Sequence, residues 1–154
     1  MKIIGFRCDS SELIGTGHVM RCKKLASLFK KNDYKVFFIC RKQKGDLIED
    51  LTNEFEVLTL PYINKNKKEI DNETHPWLGC SQEKDLADTL KIIKEKKILF
   101  FDFLFIDHYA IDYLWEKSFK KAKKIIVIDD LANRKHNADY LIDQNFYLDD
   151  GKAR

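Results

Sequence analysis

Two kinds of run alternate along the chain. In the first, nearly every position is apolar: residues 2–8 (KIIGFRC), 35–40 (KVFFIC), 56–60 (EVLTL), 103–107 (FLFID), 125–129 (IIVID) and 140–143 (YLID). Short runs of this kind, bounded by polar segments, predict strands buried on both faces. In the second kind, apolar residues recur every three or four positions, which predicts helices. Over 17–31, Val19, Cys22, Ala26 and Phe29 mark one face, with Lys23, Lys24, Lys30 and Lys31 opposite. Leu47, Ile48 and Leu51 mark a short helix over 45–53, and further helices are predicted at about 82–96 and 111–121. Ser81 can cap the third of these. Glu83 and Asp85 suit its positive end, and Lys94, Lys96 and Lys97 its negative end.

Buried strands alternating with helices imply an α/β domain, a Rossmann-like parallel sheet flanked by helices. Ligands of such sheets sit beyond the carboxyl ends of the strands. That places weight on Arg7, Asp9, Arg41, Asp107-His108-Tyr109 and Asp129-Asp130. It also places weight on the 61–80 segment, which is polar and holds both prolines. A stretch this long without its own elements is usually functional or mobile.

Length and charge narrow the reading. The chain has 154 residues, enough for one domain over 1–154 and too few for two ordinary ones. Lys and Arg number 28 against 25 Asp and Glu, for a net charge of +3. This balance argues against a nucleic-acid partner, whose footprint is a strong basic excess. No apolar run reaches the roughly 18 residues of a membrane span, and the N-terminus turns polar too early for a signal peptide. Cys8, Cys22, Cys40 and Cys80 form no C-x-x-C pair and lie in mostly apolar stretches. They read as reduced core residues of a cytoplasmic protein, with neither a disulfide frame nor a metal site.

The stretch SSELIGTGHVMRC (10–22) carries the candidate chemistry. Gly15 and Gly17 precede a predicted helix, whose first N–H groups have no internal partner and carry partial positive charge. Such a turn suits an anion. A neutral imidazole at His18 could accept a proton and serve as a general base. The bland alternative is a helix-entry turn with a surface histidine. A dinucleotide fingerprint would need glycine at position 20, which is Met20, and a first glycine closer to the strand.

RCDSSELIGTGHVMRCKKLA closely resembles the opening of the PseG family, the nucleotide-sugar hydrolases of pseudaminic acid synthesis, which serves flagellin glycosylation. WLGCSQEKDLADT, IDHYAIDYLWE and VIDDLANRKHNADYLIDQN agree with the family in the same order. The resemblance implies hydrolysis of UDP-2,4-diacetamido-2,4,6-trideoxy-β-L-altropyranose, with water attacking the anomeric carbon, inversion, and no metal or cofactor. It implies the N-terminal half of a glycosyltransferase-B type fold. Family chains continue past LIDQN into a second Rossmann-like domain that mainly holds the nucleotide. That domain would lie outside this chain, and efficient turnover would need it.

Carried onto this sequence, the resemblance makes His18 the catalytic residue, with Gly15, Thr16 and Gly17 shaping the loop against the sugar or diphosphate. Arg7 and Asp9 are read as substrate contacts or as a salt-bridged pair holding the loop. Arg21, one turn after His18, is read as a phosphate ligand or a solvated side chain. Asp107, His108 and Tyr109 are expected at the substrate edge, with His108 open to a structural role. Trp77 is read as a lid over the sugar or a packing residue. Asp129 and Asp130 are read as turn caps, and His75 and His136 as solvated loop histidines. The rival functions are a UDP-sugar glycosyltransferase of the same fold and a non-catalytic sugar-nucleotide binding module.

Overall fold

The computed structural model describes residues 1–64 and 74–145, so the middle of the 61–80 segment lies outside it. Ten elements follow in order: β1 (Ile3–Cys8), α1 (Gly17–Lys31), β2 (Lys35–Arg41), α2 (Ile48–Thr52), β3 (Glu56–Leu60), α3 (Gln82–Glu95), β4 (Phe101–Asp107), α4 (Tyr113–Ser118), β5 (Ala122–Ile128) and β6 (Tyr140–Ile142). The strands form one six-stranded sheet in the order β3-β2-β1-β4-β5-β6. Every neighbouring pair is parallel. This is the Rossmann-like α/β arrangement that the alternating runs predict. The strand order reverses between β1 and β4, and a crevice at such a reversal is where doubly wound sheets take their ligands.

Both faces of the central strands are covered, which is why they are apolar, whereas the edge strand β6, expected from its apolar run to be buried on both faces, is exposed at every position. On one face Phe6 stacks between Phe38 and Phe105, at ring distances of 5.3 and 4.9 Å, under Val19, Cys22 and Ala26 of α1. On the other, Ile39, Leu58, Leu104 and Ile106 pack with Ile93 of α3 and Trp115 of α4. Each large apolar side chain removed from water in this way contributes roughly 1.5–3 kcal/mol. All four cysteines are buried free thiols. No described helix is long and apolar enough to cross a membrane.

Element ends are set by local polar contacts. Ser81 caps α3, its hydroxyl accepting from the Lys84 N–H at 3.2 Å, as expected. The second helix is shorter than its apolar pattern suggests. The Asp46 carboxylate accepts from the Gln43 and Ile48 N–H groups, so 43–47 is a turn and the helix begins at Ile48. The fourth helix starts at Tyr113 behind an Asp112 cap and stops at Ser118. Beyond it the Lys121 carbonyl already accepts from Phe101 N–H at 2.7 Å, so this stretch joins the sheet instead of extending the helix.

Candidate active site

Three strand ends and one helix start converge at the reversal point. Residues 11–15 fold into a tight loop in which the Ser11 hydroxyl accepts from the Leu13 and Ile14 N–H groups. The Ser11 carbonyl accepts from Gly15 N–H at 2.8 Å. Gly15 has φ +79°, a conformation that side-chain-bearing residues rarely adopt. Gly17 needs no such freedom: its backbone is ordinary and a Cβ there would meet nothing within 4 Å. Glycine at 17 therefore leaves open space above the first turn of α1, whose N-terminus no side chain caps. Gly15, Thr16 and Gly17 form an exposed lip, and His18 behind them is buried.

The His18 imidazole is held by Asp107, the last residue of β4, with Nδ1 2.5 Å from Oδ1. At that separation a proton lies between the two atoms. Burial alone would raise the Asp107 carboxyl, but hydrogen bonds from Arg21 and His18 outweigh it and hold it below its ordinary range. The proton therefore sits on Nδ1 of the ring, and in the neutral form of the imidazole Nε2 is the nitrogen with the lone pair. Arg21, one turn along α1, forks onto the same carboxylate through Nε and through Nη2 at 2.6 Å. Its guanidinium is thereby tied to Asp107 yet stays partly exposed, with Nη2 also 3.3 Å from His18 Nδ1. The pairing holds its charge well above the ordinary arginine range.

Two aromatic rings wall this dyad. The Tyr109 ring meets His18 edge-on at 4.5 Å and 88°, and Trp77 stacks on Tyr109 at 5.5 Å. Trp77 also reaches His18 edge-on at 5.9 Å. Half-buried against the core, Trp77 is thus a packing residue and a wall of the site at once. A cavity of about 240 Å³ lies beside this centre, lined by Ser11, Glu12, Leu13, Gln43, Tyr62 and Ile63 among others. It shares the 11–15 loop with the site but is not lined by His18, Asp107 or Tyr109.

Beneath the site lies a buried ion network of which sequence reasoning anticipated only the Arg7–Asp9 pair. Arg7 donates to both oxygens of Asp9, at 2.7 and 3.0 Å, and to both oxygens of Asp85 on α3. Arg41 bonds Asp85 and Asp88, and the Trp115 indole donates to Asp85 at 3.0 Å. Arg7 and Asp9 are enclosed and offer no surface to a ligand, so they are the salt-bridged pair of the two readings. His108 joins them: its Nδ1 accepts from Ala110 N–H at 3.1 Å and its Nε2 lies 2.8 Å from Asp9. Both ring nitrogens are occupied within the fold, which is the structural role left open for it. The one available signal was Asp85 itself, an acid on the helix face that also carries Thr89 and Ile93 inward.

The remaining candidates separate clearly. Asp129 accepts from Arg134 at 2.8 Å and Asp130 from the Tyr109 hydroxyl at 2.5 Å, so each bonds a side chain of the β4–α4 or β5–β6 connection. His75 stays in its own turn, where Nδ1 accepts from Trp77 N–H. His136 departs from the solvated reading: it is largely enclosed, with Nδ1 2.6 Å from Glu116 and Nε2 3.5 Å from Asp129. Its Nε2 is buried without a hydrogen bond.

No protein-family model matches the chain. Over 149 residues it is 32% identical to the UDP-2,4-diacetamido-2,4,6-trideoxy-beta-L-altropyranose hydrolase of Campylobacter jejuni. The match covers 96% of this chain and 43% of that protein, so the chain spans less than half the length of this curated relative. The relationship implied by the four sequence stretches is therefore present, and the chain is a homologue of part of that UDP-sugar hydrolase.

Proposed function

We propose that this chain is the N-terminal, sugar-facing half of a nucleotide-sugar hydrolase of the glycosyltransferase-B type, acting in pseudaminic acid synthesis. Its substrate on this reading is UDP-2,4-diacetamido-2,4,6-trideoxy-β-L-altropyranose. The observation that carries the chemistry is the His18–Asp107 pair. With Nδ1 donating to a charged carboxylate, Nε2 can take a proton from water. The oxygen of that water attacks the anomeric carbon as the carbon–oxygen bond to UDP breaks, giving the free sugar with inversion. Asp107 fixes the ring tautomer and stabilises the imidazolium that forms, as a carboxylate does beside any catalytic imidazole. Trp77 and Tyr109 exclude solvent from the base, and the open lip at Gly15–Gly17 lets the substrate approach the backbone. The UDP-sugar hydrolase name of the relative supports this reading at the level of enzyme class.

The test uses the full-length hydrolase incubated with the UDP-sugar in oxygen-18 water. Label in the released sugar and none in UDP is expected. Transfer of the sugar to an acceptor with negligible hydrolysis would establish the glycosyltransferase reading instead. Binding without turnover would establish the binding module.

A further inference from the structure

Asp130 lies outside the pair to which the chemistry is assigned, yet the fold aims it at that pair. Strands β4 and β5 are in parallel register, with Ile106 opposite Val127. Continuing that register beyond the strand ends sets Tyr109 level with Asp130. The Tyr109 hydroxyl donates to Asp130 Oδ1 at 2.5 Å, and Asn145 Nδ2 donates to the other oxygen at 3.3 Å. The same Tyr109 ring stands edge-on to His18 at 4.5 Å and is stacked by Trp77. A tyrosine hydroxyl has one proton to give and two lone pairs. With the proton committed to a carboxylate, the phenolic oxygen can meet a ligand only as an acceptor.

We propose that Asp130 is a positioning residue that fixes Tyr109 as a hydrogen-bond acceptor beside His18, selecting an N–H or O–H donor on the bound sugar. This inference rests on the hydrolase reading of the site. The reverse polarity, a tyrosine donating to a sugar oxygen, is closed while Asp130 is charged. Burial and the Asp130 charge push the Tyr109 phenol up to about 12, so it stays protonated and the polarity is stable across neutral pH. The Arg134 guanidinium lies 5.8 Å from the Tyr109 ring, and the Arg21 charge and hydrogen bond act to lower this phenol. Both arginines are themselves bonded to carboxylates, Asp129 and Asp107.

Two measurements test the proposal, and the first is independent of activity. The phenol C–O stretch of Tyr109 is isolated by infrared difference between the protein and its Tyr109→Phe variant. It should carry the signature of a donating hydroxyl, lost in Asp130→Ala and weakened in Asp130→Asn. An unchanged band in both variants overturns the contact itself. The second is a kinetic cycle in the full-length enzyme. Asp130→Ala should lower kcat/KM roughly 10–100-fold, the scale of losing one hydrogen bond to a charged group. In the Tyr109→Phe background the same change should cost nothing further. Additive losses would show that Asp130 does not act through Tyr109 and would overturn the proposal. If the unmodified enzyme hydrolyses no UDP-sugar, the hydrolase reading fails, and so does the ligand donor assigned to Tyr109, while the infrared band still judges the contact.

Discussion

Asp107 carries more of the site than its position in the chain suggests. One carboxylate receives the His18 ring, the Arg21 fork and the Cys22 thiol at 3.6 Å. Replacing it by Asn keeps the size but removes the charge and offers an amide N–H where the imidazole now donates. The ring can then adopt the other tautomer, which puts the proton on Nε2. We expect full-length Asp107→Asn to lose about 10⁴-fold in turnover with KM little changed, the scale of that change in other histidine–carboxylate pairs. His18→Asn, which removes the base and leaves the loop intact, should lose roughly 10²–10⁴-fold and still bind UDP. Steady-state kinetics beside a melting curve for each variant separate chemistry from folding. Near-normal turnover in His18→Asn would reduce the glycine stretch to a helix-entry turn. Arg21→Lys should also be damaging, because an ammonium cannot reproduce a two-pronged contact with one carboxylate.

At the scale of elements, the strands were legible in the sequence because a sheet covered on both faces demands uninterrupted apolar runs. The helix at 17–31 was legible because its apolar period is long. The ends of α2 and α4 were not, since Asp46 and the Phe101–Lys121 pairing decide them through contacts that periodicity does not encode. His18 could be picked from its glycine turn, but its partner lies 89 residues away. The network joining Arg7 to Asp85 spans 78 residues and was invisible for the same reason. That network ties β1, β2, α3 and α4 beneath the site. Asp85→Asn would leave parts of two buried guanidinium groups uncompensated, and losing one partner of a buried ion pair typically costs about 3–5 kcal/mol. Denaturant unfolding followed by tryptophan emission should show that loss, since Trp115 donates to the same carboxylate. A change below about 1 kcal/mol would mean that the network contributes little to stability.

His136 fastens the β5–β6 connection to α4 and gives that connection a pH dependence. The hydrogen bond that its ring donates to Glu116 raises its pKa, burial and the Arg134 charge oppose the rise, and Asp129 adds to it. The folded state thus binds the imidazole proton more tightly than the unfolded chain, where the ring titrates near 6.5. The stability gained is complete below about pH 6.5 and disappears as pH rises through the raised folded value. Melting temperatures of the protein and of His136→Gln should therefore differ most in mildly acidic buffer and converge in alkaline buffer. A gap that widens with pH would contradict the pairing with Glu116.

For the whole molecule, the decisive feature is where its positive charge has gone. Every arginine among the described residues stands near the carboxyl edge of the sheet, and each is paired to a carboxylate. Arg7 is held by Asp9 and Asp85, Arg41 by Asp85 and Asp88, Arg21 by Asp107, and Arg134 by Asp129. Lys42 and Lys44, at the rim of the neighbouring cavity, face Asp46 and Glu12. Among the described residues, a diphosphate placed at this edge meets the bare first turn of α1 and arginines that are each already matched to a carboxylate. Binding it through an arginine would require breaking an internal pair, which is expensive where the pair is buried. On the proposed reading, the sugar-facing chemistry lies here and the nucleotide-holding charge elsewhere, and the chain matches less than half the length of its hydrolase relative. We expect calorimetric titration of UDP into this chain by itself to give a dissociation constant weaker than about 1 mM, or no measurable heat. The full-length protein should bind UDP far more tightly, and His18→Asn should leave that affinity unchanged. Micromolar binding of UDP by residues 1–154 alone would mean that this edge holds the nucleotide after all, and the division of labour between the two halves would have to be redrawn.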